Sequence, residues 1–314
     1  MIMLKELMKC IREYKKPSIL APVLVSLEVV MECTIPFLIA MLVNQIKAGA
    51  EFSVLVKYGL LLIVMATLSL MFGIGAGNAC ATASCGFAKN VRKDLYAKIQ
   101  EFSFENIDKF SSSSLVTRLT NVQNAYMMIV RIAVRCPLMF LFAFVMAFIM
   151  GGKMACIFLL VVPVLGFGLY MVIRTAMPLF RKVFHKYDEL NNSIQENIKG
   201  MRVVKSYVRE EFEKEKFDRA AGDVCEDFTK AEKILAWNNP LMQFSLYTVM
   251  IFVLTVGSYV IITTKGLDLD VGQFSALLTY SFQILSSLMM LSMVFVMVTL
   301  ANESAHRIVE VLKE

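Results

Sequence analysis

The sequence NNSIQENIKGMRVVKSYVREEFEKEKF, residues 191–217, lies in a chain that is otherwise mostly apolar. It belongs to a densely charged run, residues 174–233, that is too polar for lipid and contains few helix breakers. Apolar residues recur in it at helical spacing, as at Val203, Val204, Tyr207 and Val208. We therefore predict two long helices that leave a membrane, turn at a short tip and come back. Arms of roughly thirty residues would project about 40 to 45 Å.

The composition excludes a soluble globular protein. The chain has 314 residues, of which 57% are hydrophobic, and its mean hydropathy is +0.63. These values are typical of an integral membrane protein. Its seven cysteines are scattered without a CxxC pair, which argues against a disulfide framework or a zinc site. The two histidines, His185 and His306, lie in charged surroundings, where a metal or catalytic role is not expected.

Six apolar segments are each near the roughly 20 residues that cross a bilayer. We place the spans at residues 18–43, 54–84, 127–150, 154–173, 241–264 and 271–300. Residues 1–16 alternate apolar and basic side chains and predict an amphipathic helix on the membrane surface. Residues 17–300 would form the transmembrane domain, and residues 301–314 would begin a linker.

The basic residues predict the orientation of these spans. Of the 32 basic residues, only four lie in the loops that we place outside or in the span turn next to them: Lys47, Lys57, Lys153 and Lys265. The positive-inside rule then puts both termini and the two long loops, residues 85–126 and 174–240, in the cytoplasm. We expect the chain in the plasma membrane. The formal charge of +6 needs no nucleic acid, because an anionic inner leaflet accounts for it.

Residues 195–207, QENIKGMRVVKSY, followed by two glutamates and Phe217, resemble the second cytoplasmic loop of ATP-binding-cassette (ABC) exporters. That family has the pattern Q-E-x-[IL]-x-G-x-[RK]-x-V-K-x-[FY], then acidic residues and a phenylalanine. The resemblance implies a tip helix, near residues 207–213, that docks on an ATPase domain and couples ATP hydrolysis to the membrane helices. The residues that it assigns to this coupling are Tyr207, Val208, Arg209, Glu210 and Glu211.

The first long loop has a similar organisation. Residues 91–96 run along a helix, four serines at 111–114 indicate a turn, and residues 117–120, TRLT, begin the return. These short segments also resemble the first cytoplasmic loop of the exporter family. The resemblance implies coupling contacts at Ser113, Ser114, Leu115 and Arg118. The chain departs from the family pattern after Thr120. The surrounding segments align best if this chain lacks about four residues that the family has there. Loss of about one turn preserves the helix face but shortens the arm by about 6 Å.

Charged residues inside the apolar spans are candidates for a substrate cavity. Glu28 and Glu32 are four residues apart and share one face of the first span, and Arg131 and Arg135 are likewise spaced on the third. An unpaired charge at mid-membrane costs at least about 2.5 to 3.5 kcal/mol. We therefore expect the glutamates to face the bundle interior or a water-filled cavity. They either contact a substrate or ion, or form a buried pair or protonated carboxyl that holds helices together.

Two further stretches favour helix packing. Residues 73–77, GIGAG, place small residues at close spacing, which lets helices approach one another. The last span carries a polar and methionine-rich strip that includes Gln283 and Met290. Because methionine adapts its shape, we include these two residues in the candidate cavity, with core packing as the alternative.

No ATPase motif occurs in the sequence. The phosphate-binding pattern G-x-x-x-x-G-K-[ST] is missing, and so is the Leu-Ser-Gly-Gly-Gln signature of the exporter family. Residues 304–312, SAHRIVEVL, resemble the linker into that family's nucleotide-binding domain. We therefore expect no ATP hydrolysis by this chain alone, no cofactor in it, and ATP and Mg²⁺ on partner nucleotide-binding domains. Those domains would belong to a separate subunit or to a longer half-transporter.

The resemblance as a whole implies an all-α membrane protein with six transmembrane helices and long cytoplasmic helical extensions. Its function would be the permease half of an ATP-driven exporter, a dimer of two identical or different halves that moves a small apolar or amphipathic substrate. One alternative is a regulatory or truncated partner that does not transport, because the first loop is short. Another is a channel or proton-coupled carrier that uses Glu28 and Glu32, which the residues 191–217 argue against.

Overall fold

The computed structural model describes residues 9–102, 112–267 and 269–313. Seven α-helices and no strand occur in these residues. The helices are α1 Lys15–Lys47, α2 Phe52–Gln100, α3 Ser112–Gly151, α4 Cys156–Ser206, α5 Glu210–Leu235, α6 Asn238–Thr264 and α7 Val271–Lys313. Short 3-10 helices at Arg12–Tyr14 and Gly152–Ala155 precede α1 and α4. The predicted all-helical class is confirmed.

The apolar helical stretches are long enough to cross a membrane. There are five of them among the described residues: Arg12–Lys47, Phe52–Gln100, Tyr126–Ser206, Glu210–Thr264 and Val271–Phe295. The third holds two of the six predicted spans, which the 3-10 helix Gly152–Ala155 separates. Prolines inside α1, α3 and α4 do not end these helices, as is common in membrane-spanning segments.

The chain divides into two compact units. The first comprises residues 1–162 and 245–314, and the second comprises residues 163–244. In the first unit, α1, α2, α3 and α7 pack against one another. Small side chains let α1, α2 and α3 approach closely: Ala21, Ala79, Cys80 and Val130 form one buried cluster. Part of the GIGAG stretch also packs as predicted, since Ala76 is fully buried.

Polar contacts fix α1 against α7. The hydroxyl of the fully buried Tyr280 donates a hydrogen bond of 2.7 Å to the backbone oxygen of Cys33. At the start of α7, the Gly272 backbone N–H donates to the side-chain oxygen of Asn44 at 3.0 Å. The backbones are so close there that a Cβ on Gly272 would lie 2.1 Å from the Ala40 carbonyl oxygen. The register between α1 and α7 is therefore closely constrained.

The described part of the predicted surface helix begins at residue 9. Cys10 is buried among Phe87 and Val91 of α2 and Ile308 of α7, and Arg12 forms an ion pair of 2.9 Å with Asp94. Residues 1–8 lie outside the described residues, so the amphipathic helix stays a prediction.

The second unit is a helical hairpin. The second part of α4 runs out to Ser206, residues 207–209 make the turn, and α5 returns to Leu235. Ala176, Phe180 and Ala231 form its buried apolar cluster, as expected if the helical spacing of apolar residues seals the two arms.

Candidate functional site

A cluster of charged side chains links α1 and α3 in the first unit. Arg135 donates to Oε1 of Glu28 at 2.5 Å and to both carboxylate oxygens of Glu32 at 2.7 and 2.8 Å. Glu28 and Glu32 can share this guanidinium because residues four apart lie on the same helix face. Arg135 is therefore the centre of a three-member ion-pair network, with one glutamate on each side.

Burial differs across this network. The Glu28 side chain is 9% exposed, whereas those of Glu32 and Arg135 are each 28% exposed. A buried ion pair gains little net stability, but removal of one partner costs about 3 to 5 kcal/mol, since a charge is then left uncompensated. The network thus makes Glu28 the residue whose environment depends most on Arg135.

A cavity of about 690 Å³ opens between α1, α2 and α3 beside this network. Its polar lining includes Glu28, Glu32, Arg131 and Asn78, and its apolar lining comes mainly from α2. Two glycines of α2, which have no side chain, leave space for the charged groups of Glu28 and Arg131. A Cβ on Gly73 would lie 3.2 Å from Glu28 Oε1, and a Cβ on Gly77 would lie 3.7 Å from Arg131 Nη1.

The structure therefore brings together four of the six predicted cavity residues. The other two, Gln283 and Met290, lie on α7, and neither is among the described residues that line the cavity. Gln283 is half-buried and Met290 is exposed. Their part in a substrate pathway stays a prediction.

The hairpin tip is the second candidate site. α4 ends in a Schellman motif, in which the Arg209 N–H donates to the Val204 oxygen at 3.0 Å and the Val208 N–H to the Lys205 oxygen at 3.3 Å. Val208 occupies the left-handed position of this motif with φ +52°, where glycine is usual. The resemblance implies a separate tip helix near residues 207–213. The structure differs, since a turn at 207–209 leads directly into α5.

The tip exposes apolar side chains. Tyr207 is 75% exposed and Val208 is 81% exposed, and Phe212 in the first turn of α5 is also exposed. Arg209 and Glu211 are exposed as well, and Glu210 is half-buried. Apolar side chains grouped at the end of a polar hairpin are typical of a surface that meets another protein.

The two arms of the hairpin are held together behind the tip. Asp227 of α5 is buried and lies 2.7 Å from Lys186 and 3.2 Å from Lys182, both on α4. The rings of Phe180 and Phe228 meet edge to face at a centroid distance of 6.1 Å. Hydrogen bonds from Lys186 and Lys182 lower the pKa of Asp227 below its ordinary value. Sequence reasoning did not single out Asp227, although an acidic residue among apolar positions of an amphipathic helix was a usable signal.

The predicted coupling residues of the first loop are only partly described. Ser113, Ser114, Leu115 and Arg118 fall in the first two turns of α3, and their side chains lie outside the described residues, as does the loop at 103–111. Their coupling role stays a prediction.

Comparison with known proteins assigns the family. Residues 18–289 match the family described as the ABC transporter transmembrane region. The chain belongs to this family. The match covers all of α2, α3, α4, α5 and α6, so it includes both the cavity and the hairpin.

The relatives of this ABC transporter domain are longer proteins. An uncharacterized ABC transporter ATP-binding protein of Bacillus subtilis, YfiB, is 30% identical over 96% of this chain and 53% of its own length. The uncharacterized ABC transporter ATP-binding protein Rv1273c of Mycobacterium tuberculosis is 26% identical over 96% of this chain and 52% of its own length. The ATP-dependent lipid A-core flippase of Aromatoleum aromaticum is 25% identical over 70% of this chain and 36% of its own length. The chain thus spans about half the length of the first two relatives.

Proposed function

We propose that this chain is the membrane-spanning half of an ATP-driven exporter. It forms the translocation pathway, and the hairpin tip passes movement from an ATPase domain to the membrane helices. The observation that carries this proposal is the pairing of a braced hairpin with an exposed apolar tip at its end. A lever of this kind can transmit force only if its arms move together and its end has a partner.

The bracing of the arms supports the lever. Asp227 joins two lysines of the opposite arm, and Phe180 and Phe228 close the apolar seam beside them. Lys186 is separated from Tyr207 by about 30 Å of helix, at about 1.5 Å per residue. A push at the tip is therefore carried along a stiff pair of helices instead of being absorbed at the turn.

The proposal includes partners for this chain. Nucleotide-binding domains act with it, and ATP and Mg²⁺ are bound by those domains, because the sequence has no phosphate-binding loop. The chain pairs with a second transmembrane half, and it lies in the plasma membrane with both ends and the hairpin in the cytoplasm. Alternation between inward and outward states requires a substrate that binds these two states with different affinity.

Co-purification from membranes tests the coupling. The chain is isolated with and without Tyr207→Ala and Glu210→Ala, the nucleotide-binding protein that accompanies it is identified, and ATPase activity is measured. Tyr187→Ala is the matched control, because Tyr187 is also an exposed tyrosine of α4 but lies about 30 Å of helix from the tip. We expect both tip variants to lose the ATPase or its stimulation and the control to retain both.

Two outcomes would contradict the proposal. Equal loss in the control variant would show that the hairpin tolerates no exposed substitution and that the tip is not special. An ATPase that binds the wild type but is unaffected by the chain or by transported compounds would favour the non-transporting partner, which the shortened first loop suggests.

A further inference from the structure

One oxygen of the Glu28 carboxylate accepts no hydrogen bond from the described residues. Its Oε1 is bonded to Arg135, whereas Oε2 is buried and has no hydrogen-bond donor among the described residues. The same side chain lines the cavity between α1, α2 and α3. A buried carboxylate oxygen without a donor is unfavourable, so an occupant that offers an N–H group would complete this site.

Arg131 supplies the opposite charge to the same cavity. It lines the cavity but forms no ion pair with a carboxylate in the described part of the chain. Arg135 instead uses Nη1 for Glu28 and Nη2 for Glu32. The three-member network therefore carries one net negative charge, and Arg131 balances it from a separate position.

The spacing of the two charges follows from α2. The Glu28 carboxylate lies against Gly73, and the Arg131 guanidinium lies against Gly77. Residues four apart are on the same helix face and are separated by about 6 Å along the axis. Negative and positive groups thus face the cavity about one helical turn apart.

We propose that this cavity binds an amphipathic zwitterion, in which a protonated amine meets Glu28, an anionic group meets Arg131, and an apolar tail follows the α2 surface at Leu70 and Ile74. A simple cation would leave Arg131 without an anionic partner, and a simple anion would leave the buried Oε2 of Glu28 without a donor. A zwitterion matches both. Leu70 and Ile74 line the cavity and are more than half exposed, so they offer the tail an apolar surface. The inference rests on the proposed export function and names its substrate class.

Lipid binding by the purified chain in a nonionic detergent tests this assignment. Native mass spectrometry compares phosphatidylethanolamine, which has N–H donors, with phosphatidylcholine, which is zwitterionic but has none, and with the anionic phosphatidylglycerol. We expect phosphatidylethanolamine to bind best. Phosphoethanolamine, which has the headgroup but no tail, should bind at least about tenfold more weakly, because it leaves the apolar surface bare.

Matched variants locate the binding. Arg131→Gln and Glu28→Gln should each weaken phosphatidylethanolamine binding at least about tenfold, because each leaves one ligand charge unpaired. Arg181→Gln, at an exposed position of α4, should have no effect. Leu70→Trp should block the cavity, whereas Leu60→Trp, at a similarly exposed leucine of α2 outside the lining, should not.

Several results would overturn the inference. These are equal binding of phosphatidylcholine and phosphatidylethanolamine, tighter binding of phosphatidylglycerol, equal binding of the tail-less headgroup, or unchanged binding by Arg131→Gln. Arg131 makes no described ion pair, so this variant should fold even if Glu28→Gln does not. The lipid-binding assay needs no ATPase. A negative result in it contradicts only the zwitterion site, whereas a negative result with the tip variants contradicts only the export function.

Discussion

Val208 stores backbone strain at the hairpin tip, and Val208→Gly should release it. The residue occupies the left-handed position of the Schellman motif with φ +52°. A β-branched residue is a rare occupant of that region. Its side chain is 81% exposed, so removal of the side chain takes little packing away from the isolated chain. Backbone terms should therefore decide the effect on stability.

The expected gain follows from two opposing terms. The left-handed conformation costs an L-residue about 1 to 2 kcal/mol. Glycine removes that cost but adds about 0.5 to 1 kcal/mol of backbone entropy in the unfolded chain. The net stabilisation of the turn should be about 0.5 to 1 kcal/mol, which corresponds to a two- to fivefold change, roughly, in the local opening equilibrium.

Hydrogen exchange measures this locally. The Arg209 amide donates to the Val204 oxygen at 3.0 Å and is protected only while the turn is closed. We expect Val208→Gly to raise its protection by about two- to fivefold. Gly49→Val is the matched opposite, because Gly49 holds the same position of a Schellman motif at the end of α1 with φ +72° and open space around its Cβ. It should lower the protection of the following amide.

Unchanged or lower protection in Val208→Gly, together with a loss in Gly49→Val, would refute the reasoning. It would mean that the valine side chain stabilises the turn by more than its backbone strain costs. If the prediction holds, the ATPase assay should still register a loss in Val208→Gly, because this variant lacks the exposed apolar side chain that we propose contacts the partner.

Three other changes test the packing. Gly272→Ala should destabilise the chain by about 1 to 3 kcal/mol in a thermal unfolding assay, since its Cβ would meet the Ala40 carbonyl oxygen at 2.1 Å, whereas Gly59→Ala, with open space, should not. Tyr280→Phe should cost about 1 kcal/mol through its lost hydrogen bond, and an unchanged melting temperature would contradict this. The pKa of Asp227 is lowered in the folded hairpin. The stability that its ionised carboxylate contributes is therefore fully present above the ordinary pKa of 3.8 and is lost as the pH falls through the folded pKa. Asp227→Asn should therefore lower stability at neutral pH and flatten its decline in acid, as monitored by circular dichroism.

Helical periodicity was sufficient to predict the hairpin, and apolar segments of membrane-crossing length predicted most of the other helices. The arms of residues 174–233 form as the helical spacing of apolar residues indicates, and the turn falls at 207–209 within the predicted tip. The form of the tip could not be predicted from the local sequence. Neither Tyr207 nor Val208 is a residue that usually ends a helix, so the left-handed turn at Val208 gives no sequence signal.

The glycines of α2 show a similar limit. The GIGAG stretch predicts close packing of helices, and Gly75, whose Cβ would lie 3.2 Å from the Leu24 side chain, agrees with this. Gly73 and Gly77 instead make room for a carboxylate and a guanidinium. A small residue is required in both cases, so the sequence alone does not distinguish a packed helix face from the wall of a polar cavity.

The sequence by itself determined the membrane class, the helical hairpin and the shared face of Glu28 and Glu32, because these depend on composition and on residues one helical turn apart. The family followed from the sequence as well, through the resemblance of residues 195–207 to a known pattern. Only the tertiary structure decided that Arg135 pairs with both glutamates while Arg131 faces the cavity. The two arginines lie on the same face of α3, so helical spacing alone lets either arginine pair with the glutamates. The axial register of α1 against α3 determines which arginine pairs with the glutamates. That register depends on contacts between residues about a hundred positions apart in the chain.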